Sequence, residues 1–323
     1  MTKKLLIISS IGFVLLQIIL FSAQASWFFE LFTHYAHYYA MLTGLLLLAT
    51  LQKKYWTLAL LFSTFFSIHA GTLAPYLQAH TEVATQDQNL TVLASNFYYT
   101  NTQFEELFPV LQKENPDLFI IHEANADWET GLTLFQEDYP HQALTQKTGV
   151  HGIAMASRIP GSFKEIPLGT EVGLEFTPED ASYHILGVHP MAPLTAAWAA
   201  ERNTQFQDLV AYTKASPVPI LIMGDFNATP WSPHFIDLLK NASLQDARVG
   251  FGLIPTWHAH NLLFQLPIDH ALLSSGWEVL DFHAADRLSA DHLPIVVRLN
   301  HLKSTSISPF KERSSNTVSE ASE

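Results

Sequence analysis

The chain has 323 residues, no cysteine and a formal charge of -13 at pH 7. The lack of cysteine excludes a disulfide framework, a thiolate metal site and a cysteine nucleophile. Lys3, Lys4, Lys53 and Lys54 are the only basic residues before position 76, and Glu30 is the only acidic one. The acidic excess therefore lies in the remainder, and a domain so charged is not built as an electrostatic trap for nucleic acid.

Residues 5–21 form an uncharged apolar run behind Lys3 and Lys4, long enough for a membrane span near the lower limit. Ala23-Gln24-Ala25 resembles a signal-peptidase site, so a cleaved signal peptide is the alternative reading. Trp27, Phe28 and Phe29 suit a membrane interface. Residues 31–51 and 55–77 are expected as a second and a third span, with Lys53 and Lys54 in the loop between them. The first half of the second, with His34, Tyr35, His37, Tyr38 and Tyr39, is the more polar. The positive-inside rule puts the lysines in the cytoplasm and delivers everything after the third span to the outside, cleaved or not. That is the periplasm if the cell is Gram-negative. Residues 1–77 thus read as a membrane region and 78–88 as a polar linker, reaching roughly 35 Å at full extension. Residues 89–300 read as a folded domain. Residues 301–323, rich in Ser, Lys and Glu, read as a disordered tail.

Within the domain a strand is expected over 90–94, ending at Asn96. Phe104, Leu107, Phe108 and Leu111 recur at helical spacing, and Asn115-Pro116-Asp117 ends that helix. A buried strand over 118–121 ends at His122-Glu123. A helix over 128–135, a strand over 151–158, a strand over 183–188 ending at His189-Pro190, and a long helix over 196–214 follow. The apolar run 218–223 is bounded by prolines and reads as a strand buried on both faces. It stops on Gly224, with Asp225, Phe226 and Asn227 next. Strand alternation points Asp225 and Asn227 to one side and Phe226 into the core; the other reading of these residues is a turn. A helix over 235–239, a loop through Pro255-Thr256-Trp257, a strand over 268–273 carrying Asp269, and a last strand over 295–299 behind Asp291-His292 complete the pattern. Strands alternating with helices, some without a helix between them, argue for an α/β layered domain with mixed sheets.

The polar residues at these strand boundaries are of one kind. Asn96, Glu123, Asp225, Asn227, Asp269 and Asp291 are hard oxygen ligands suited to Mg²⁺ or Mn²⁺. His189 and His292 add groups that move protons near neutral pH. Together they suit metal-assisted attack of water on a phosphoester.

The succession resembles the endonuclease/exonuclease/phosphatase superfamily, in its membrane-anchored bacterial branch. The residues that carry the likeness are Asn96, His122-Glu123, Gly152 to Arg158, His189-Pro190, Gly224-Asp225-Phe226-Asn227, Ile268-Asp269-His270 and Ser289-Ala290-Asp291-His292-Leu293-Pro294. Pro193, Pro255-Thr256-Trp257 and Pro267 add the likeness to the anchored branch. The resemblance implies a four-layer α/β sandwich of two mixed sheets flanked by helices, here preceded by transmembrane helices. It implies a metal-dependent phosphoric ester hydrolase with Glu123 as chief metal ligand and Asn96 and Asp291 beside the same ion. Asp225 and Asn227 would position the attacking water or the phosphate. His292, oriented by Asp269, would act as base or phosphate clamp, and His189 would be the second histidine on the phosphoryl oxygens.

The chain departs from the pattern at His122, where Gln is commoner, at Ala290, and at Tyr98, where some nuclease branches have a further acidic ligand. Arg158 and Arg202 are expected in structural ion pairs, Trp231 and Trp257 as packing anchors, and His258, His260 and His270 outside the chemistry. The tether and the acidic surface favour a lipid head-group or lipid-linked phosphoester over nucleic acid. The alternatives are an extracytoplasmic metal-dependent nuclease and an inactive binding domain.

Overall fold

The computed structural model describes residues 2–78, 90–145, 149–261 and 264–302. Most of the expected linker and all but the start of the expected tail lie outside the described residues.

The first part is a helical bundle: α1 (Lys3–Phe21), α2 (Trp27–Thr33), α3 (Ala36–Gln52) and α4 (Trp56–Leu77). The span expected over 31–51 is thus split, with His34 and Tyr35 between α2 and α3. Among the described residues two helices, α1 and α4, are long and apolar enough to cross a membrane. Lys3 Nζ lies 5.7 Å from the centre of the Tyr55 ring, so α1 starts beside the turn joining α3 to α4. The four lysines of this region therefore share one end of the bundle.

Large apolar residues lie both inside and outside the bundle: Leu6, Phe13, Leu46, Phe62 and Phe65 pack in its interior, with polar residues buried beside them. Ser10, Gln17, Thr43, Thr50 and His69 are buried, and the Gln17 and His69 Nε2 atoms pair at 3.0 Å. Ile8, Ile11, Leu15, Ile18, Leu45, Leu48 and Leu60 are exposed. Small and polar residues between helices with large apolar ones outside is the packing that hydrocarbon surroundings favour.

Among the described residues the domain has twelve strands in two sheets. They are β1 (Leu90–Asn96), β2 (Leu118–His122), β3 (His141–Leu144), β4 (Ile153–Ser157), β5 (Gly161–Leu168), β6 (Glu171–Pro178), β7 (His184–Val188), β8 (Ile220–Asp225), β9 (Gln245–Asp246), β10 (Asp269–Leu273), β11 (Trp277–Ala284) and β12 (Ile295–His301). One sheet runs β11-β12-β1-β2-β4-β3 and the other β5-β6-β7-β8-β10-β9. Leu90, Val92, Ile120, Met155, Ile185, Leu221, Met223 and Val297 fill the space between the sheets. Helices α5 (Leu107–Glu114) and α6 (Trp128–Thr133) cover the outer face of the first sheet through Phe97, Phe119 and Trp128. Helices α7 (Ala196–Ala215) and α8 (Pro233–Ala242) cover the second through Phe206, Phe226 and Phe235. The four-layer α/β sandwich is the expected one.

Local chemistry sets the ends of these helices. Asn115 closes α5 in the left-handed region (φ 49°), ahead of Pro116. Thr195 caps α7 by accepting the Trp198 N–H, and α8 starts on Pro233.

Strand direction explains where polar residues gather. The central pairs β1–β2 and β7–β8 are parallel, so Asn96, His122, Val188 and Asp225 end their strands at one edge. The antiparallel neighbours start there: Asp269 opens β10 opposite Asp225, and Ile295 opens β12 opposite Ala94. The edge so formed is where open α/β sheets place ligands.

Helices and domain are docked directly on one another. Glu30 of α2 is fully buried; its Oε2 lies 2.6 Å from Arg202 Nη2, and its Oε1 accepts the Ser232 hydroxyl at 2.6 Å. This is the structural ion pair expected of Arg202. Burial pushes the Glu30 carboxyl up, but Arg202 and Ser232 outweigh it and hold it below its usual range. Trp231, expected as a packing anchor, sits against Ala36, Ala40 and Leu73. The Gly252 N–H donates to Tyr76 O at 2.9 Å in the last turn of α4. The domain, expected behind a linker reaching roughly 35 Å at full extension, is seated on the bundle by these contacts.

Candidate active site

At the shared strand edge lies a cleft of about 760 Å³. Glu123, His189, Asp225, Asn227, Asp291 and His292 all line it. Asn96 and Asp269 sit immediately behind them. The eight site residues expected from the sequence are therefore brought together, although they come from six separate segments.

Asp225 is the hub. It is buried, and its Oδ2 lies 3.5 Å from His189 Nε2, 3.6 Å from His292 Nε2 and 3.2 Å from the Asn96 Nδ2 that donates to it. Its Oδ1 accepts the Asn227 N–H at 2.8 Å. Burial raises the Asp225 carboxyl, but His292, His189 and the Asn227 N–H outweigh it and hold it far below the carboxylate range. On the other side of His292, Nδ1 lies 2.8 Å from Asp269 Oδ2. Burial pulls the His292 imidazole down, yet Asp269 and Asp225 push it up to about 10. His189 is also raised: burial lowers it, and Asp225 with Glu123 prevail. The centre is thus an ionised carboxylate between two imidazoles whose charged forms it favours, one of them anchored by a second carboxylate.

Glu123 forms the other pole. Its Oε1 accepts from Asn96 Nδ2 at 3.0 Å and its Oε2 from the Tyr99 N–H at 2.9 Å. Asp291 Oδ2 accepts the Trp257 indole N–H at 3.1 Å, so Trp257 anchors an acidic site residue. No lysine or arginine lines the cleft among the described residues. Glu123 and Asp291, two carboxylates facing a cleft without a fixed cation beside them, fit a divalent cation. Asp225, Asp269 and His292 also offer ligand atoms within 4.8 Å of one another. There, however, the imidazole already bridges the carboxylates, and an imidazolium has no lone pair for an ion.

Three cleft residues hold left-handed backbone: Tyr98 (φ 62°), Glu123 (φ 59°) and Asn227 (φ 51°). For residues with a Cβ this costs roughly 1 kcal/mol or more each, a kind of strain that clusters at functional sites. It also revises how Asn227 reaches the cleft. Strand alternation ends at Asp225, and an Asx turn closed by Asp225 Oδ1 delivers Asn227, so the turn and the site are one feature. Gly224 is required just before it. A Cβ there would fall 1.8 Å from Val188 O and 2.9 Å from His122 Nε2.

Other expected features fall outside the chemistry. His122 is a core residue whose burial pushes it down to about 3. His270 is buried between Asp246 and Ala228 O. Ser289 turns away, its N–H and hydroxyl donating to Glu106. Arg158 stacks on Tyr139, 4.6 Å from the ring centre.

Nothing local in the chain announces the far wall. Leu31, His34 and Tyr35 from the bundle line the cleft together with His151, Leu194 and Trp198. His34 Nδ1 lies 3.0 Å from Thr229 Oγ1 across 195 positions of sequence.

The sequence model of the endonuclease/exonuclease/phosphatase family matches residues 92–292. No curated protein sequence gives a significant match. Solved structures share the architecture. A humanized D. rerio TDP2 is 16% identical with a TM-score of 0.54, covering 66% of this chain and 100% of its own. NExo, a 3'-5' exonuclease from Neisseria meningitidis, is 16% identical at a TM-score of 0.53, covering 64% of this chain and 98% of its own. An endonuclease/exonuclease/phosphatase from Beutenbergia cavernae is 17% identical at a TM-score of 0.54, covering 67% of this chain and 72% of its own. At these identities the likeness establishes the fold.

Proposed function

The chain belongs to the endonuclease/exonuclease/phosphatase family of metal-dependent phosphoester hydrolases, and from that premise we propose a membrane-anchored enzyme that hydrolyses a lipid head-group or lipid-linked phosphoester. One observation carries the substrate: residues of the helical bundle, Leu31, His34 and Tyr35, share the cleft with Asp225 and His292. A site walled by the membrane region opens where lipid head groups lie. The large apolar side chains on the outer surface of the bundle support its place in a bilayer, with α3 as a third, shorter crossing.

In this reading a divalent ion, Mg²⁺ or Mn²⁺, is held by Glu123 with Asp291 and Asn96. When bound, the ion offsets charge on the phosphoryl oxygens. The chain's own groups do the rest. Asp225, kept ionised, orients the attacking water, and the Asp225–His292–Asp269 cluster takes its proton as the bond to phosphorus forms. His189 and His292 donate to the phosphoryl oxygens as charge builds on them, and Asp269 holds the His292 ring in place. The Asn227 amide, fixed by donating to Pro190 O at 3.0 Å, lies 3.4 Å from His189 Nε2 and borders the same oxygens.

Purified full-length protein in Mg²⁺ is expected to turn over phospholipid vesicles faster than plasmid or single-stranded DNA. Excess chelator is expected to abolish that turnover, and Glu123→Gln to weaken activity and metal response together, since a charged ligand is lost. Efficient DNA cleavage without lipid product moves the reading to a nuclease. The cleft aromatics Tyr98 and Trp198 are what such a reading would use, as stacking platforms for bases.

The lysines at one end of the bundle and the domain at the other support a domain outside the cytoplasm. A reporter active only after export, fused behind Leu302, is expected to be active. Moving Lys53 and Lys54 into the segment between α1 and α2 is expected to disturb that orientation. Signal from a cytoplasm-specific reporter alone reverses the topology.

A further inference from the structure

The cleft is wider than the phosphoester centre requires, and its far side is apolar. Leu194 is 62% exposed and Trp198 45% exposed, at the start of α7 and on the cleft rim. Large apolar side chains left together in water mark a surface that meets something apolar. Across from them stands the turn between α2 and α3. Leu31 lies three positions after the exposed Phe28 on α2, so the two share a helix face. That face runs from the outer surface of the bundle into the cleft.

A buried polar side chain, His34, sits among them. His34 Nδ1 accepts the Thr229 backbone N–H at 3.4 Å, with the Thr229 hydroxyl at 3.0 Å. Accepting from a backbone N–H requires a lone pair on Nδ1, which puts the ring hydrogen on Nε2. The turn therefore presents the His34 Nε2–H, with Tyr35 next to it, beside an apolar surface formed by Leu31, Leu194 and Trp198.

The geometry points to a lipid-backbone subsite: Leu31, Tyr35, Leu194 and Trp198 hold the first methylenes of a lipid phosphoester while His34 Nε2–H donates to its linkage oxygens. This rests on the lipid-phosphoesterase reading and deepens it. Reaction at the phosphate then needs a lipid raised only partly out of the leaflet, with its chain start still against protein. It also gives the bundle a share in choosing the substrate, since Leu31, His34 and Tyr35 belong to it. The competing occupant of an aromatic rim, a stacked nucleobase, brings a phosphate backbone that needs cations along the groove. The described lining supplies no lysine or arginine for it.

The test uses the full chain in mixed micelles with Mg²⁺, on a long-chain phospholipid and on bis(p-nitrophenyl) phosphate, a small soluble diester. Leu194→Ser and Trp198→Ser alter exposed side chains and leave folding intact. Each is expected to lower kcat/KM on the lipid by about tenfold, the scale of one apolar side chain removed from contact, while the soluble diester changes less than about twofold. His34→Ala is expected to lower lipid turnover selectively, and His34→Gln, which keeps a donor and an acceptor, to restore part of it. Equal losses on both substrates reduce these residues to a structural role and overturn the subsite. Unchanged lipid turnover in the variants overturns the subsite and leaves the lipid reading standing. A wild-type protein that cleaves the diester but yields no lipid product removes both, and selective loss of single-stranded DNA cleavage in the Trp198 variant reassigns the rim to bases.

Discussion

Replacing Glu30 by Ala is expected to cost about 3–5 kcal/mol of stability, the scale for stranding one member of a buried ion pair. Arg202 has no exposed surface and gives its Nη2 to Glu30 at 2.6 Å. Without the carboxylate, a guanidinium remains in a space that water does not reach, and Ser232 loses its acceptor as well. The loss reaches the cleft, because α2 carries Leu31 and leads into His34. Unfolding of the full chain in detergent, followed by tryptophan fluorescence, measures it. The double variant Glu30→Leu with Arg202→Met is expected to recover most of the deficit, since it removes both charges together. A single variant within about 1 kcal/mol of the parent, the range of an exposed pair, denies the ion pair any part in seating the domain.

The second large effect is chemical. His292→Ala, Asp225→Asn and His189→Ala are each expected to lower kcat by at least about a hundredfold with the fold intact. The three side chains stand at strand ends, outside the apolar layers, so their loss leaves the sheets' packing alone. Asp225 Oδ2 faces both imidazoles, at 3.5 and 3.6 Å. The double variant of Asp225 and His292 is therefore expected to be little worse than the poorer single one, as for residues that act as a unit. Turnover at saturating metal, with circular dichroism as the control for folding, decides. Near-parental rates in any two of the three overturn the assignment.

The parts of this arrangement legible in the sequence share a physical cause. Central strands buried on both faces are continuous apolar runs, so β1, β2, β7, β8 and β12 stand out with their polar ends attached. Strand β8 runs two residues later than its apolar stretch suggests, because Gly224 and Asp225 still pair with β10. The strands that went unseen are those at or near the sheet edges. β5 alternates between exposed and partly buried positions, β11 is partly buried along most of its length, and β9 has two residues. A half-solvated strand with Lys164 and Glu165 in it, as β5 has, or Glu278 and Asp281, as β11 has, offers no apolar run to announce it. The strand-end motifs placed the eight polar residues because parallel strands end together, a rule of topology that needs no knowledge of distant contacts. The bundle's part in the cleft had no such rule behind it. Glu30 reads as an odd charge near the membrane until Arg202 is beside it, and nothing local to either residue names the other.

Seating the domain on the bundle through Glu30, Trp231 and Tyr76 also sets the dimension in which such an enzyme works. Under the proposed membrane anchoring, a cleft seated on the bundle would face one leaflet at a fixed height and attitude. Held so in a bilayer, it meets its substrate by lateral diffusion, and the quantity that governs its rate is the mole fraction of that lipid in the leaflet. Inert lipid mixed into the same membrane slows it, whereas adding buffer to the suspension leaves it unchanged.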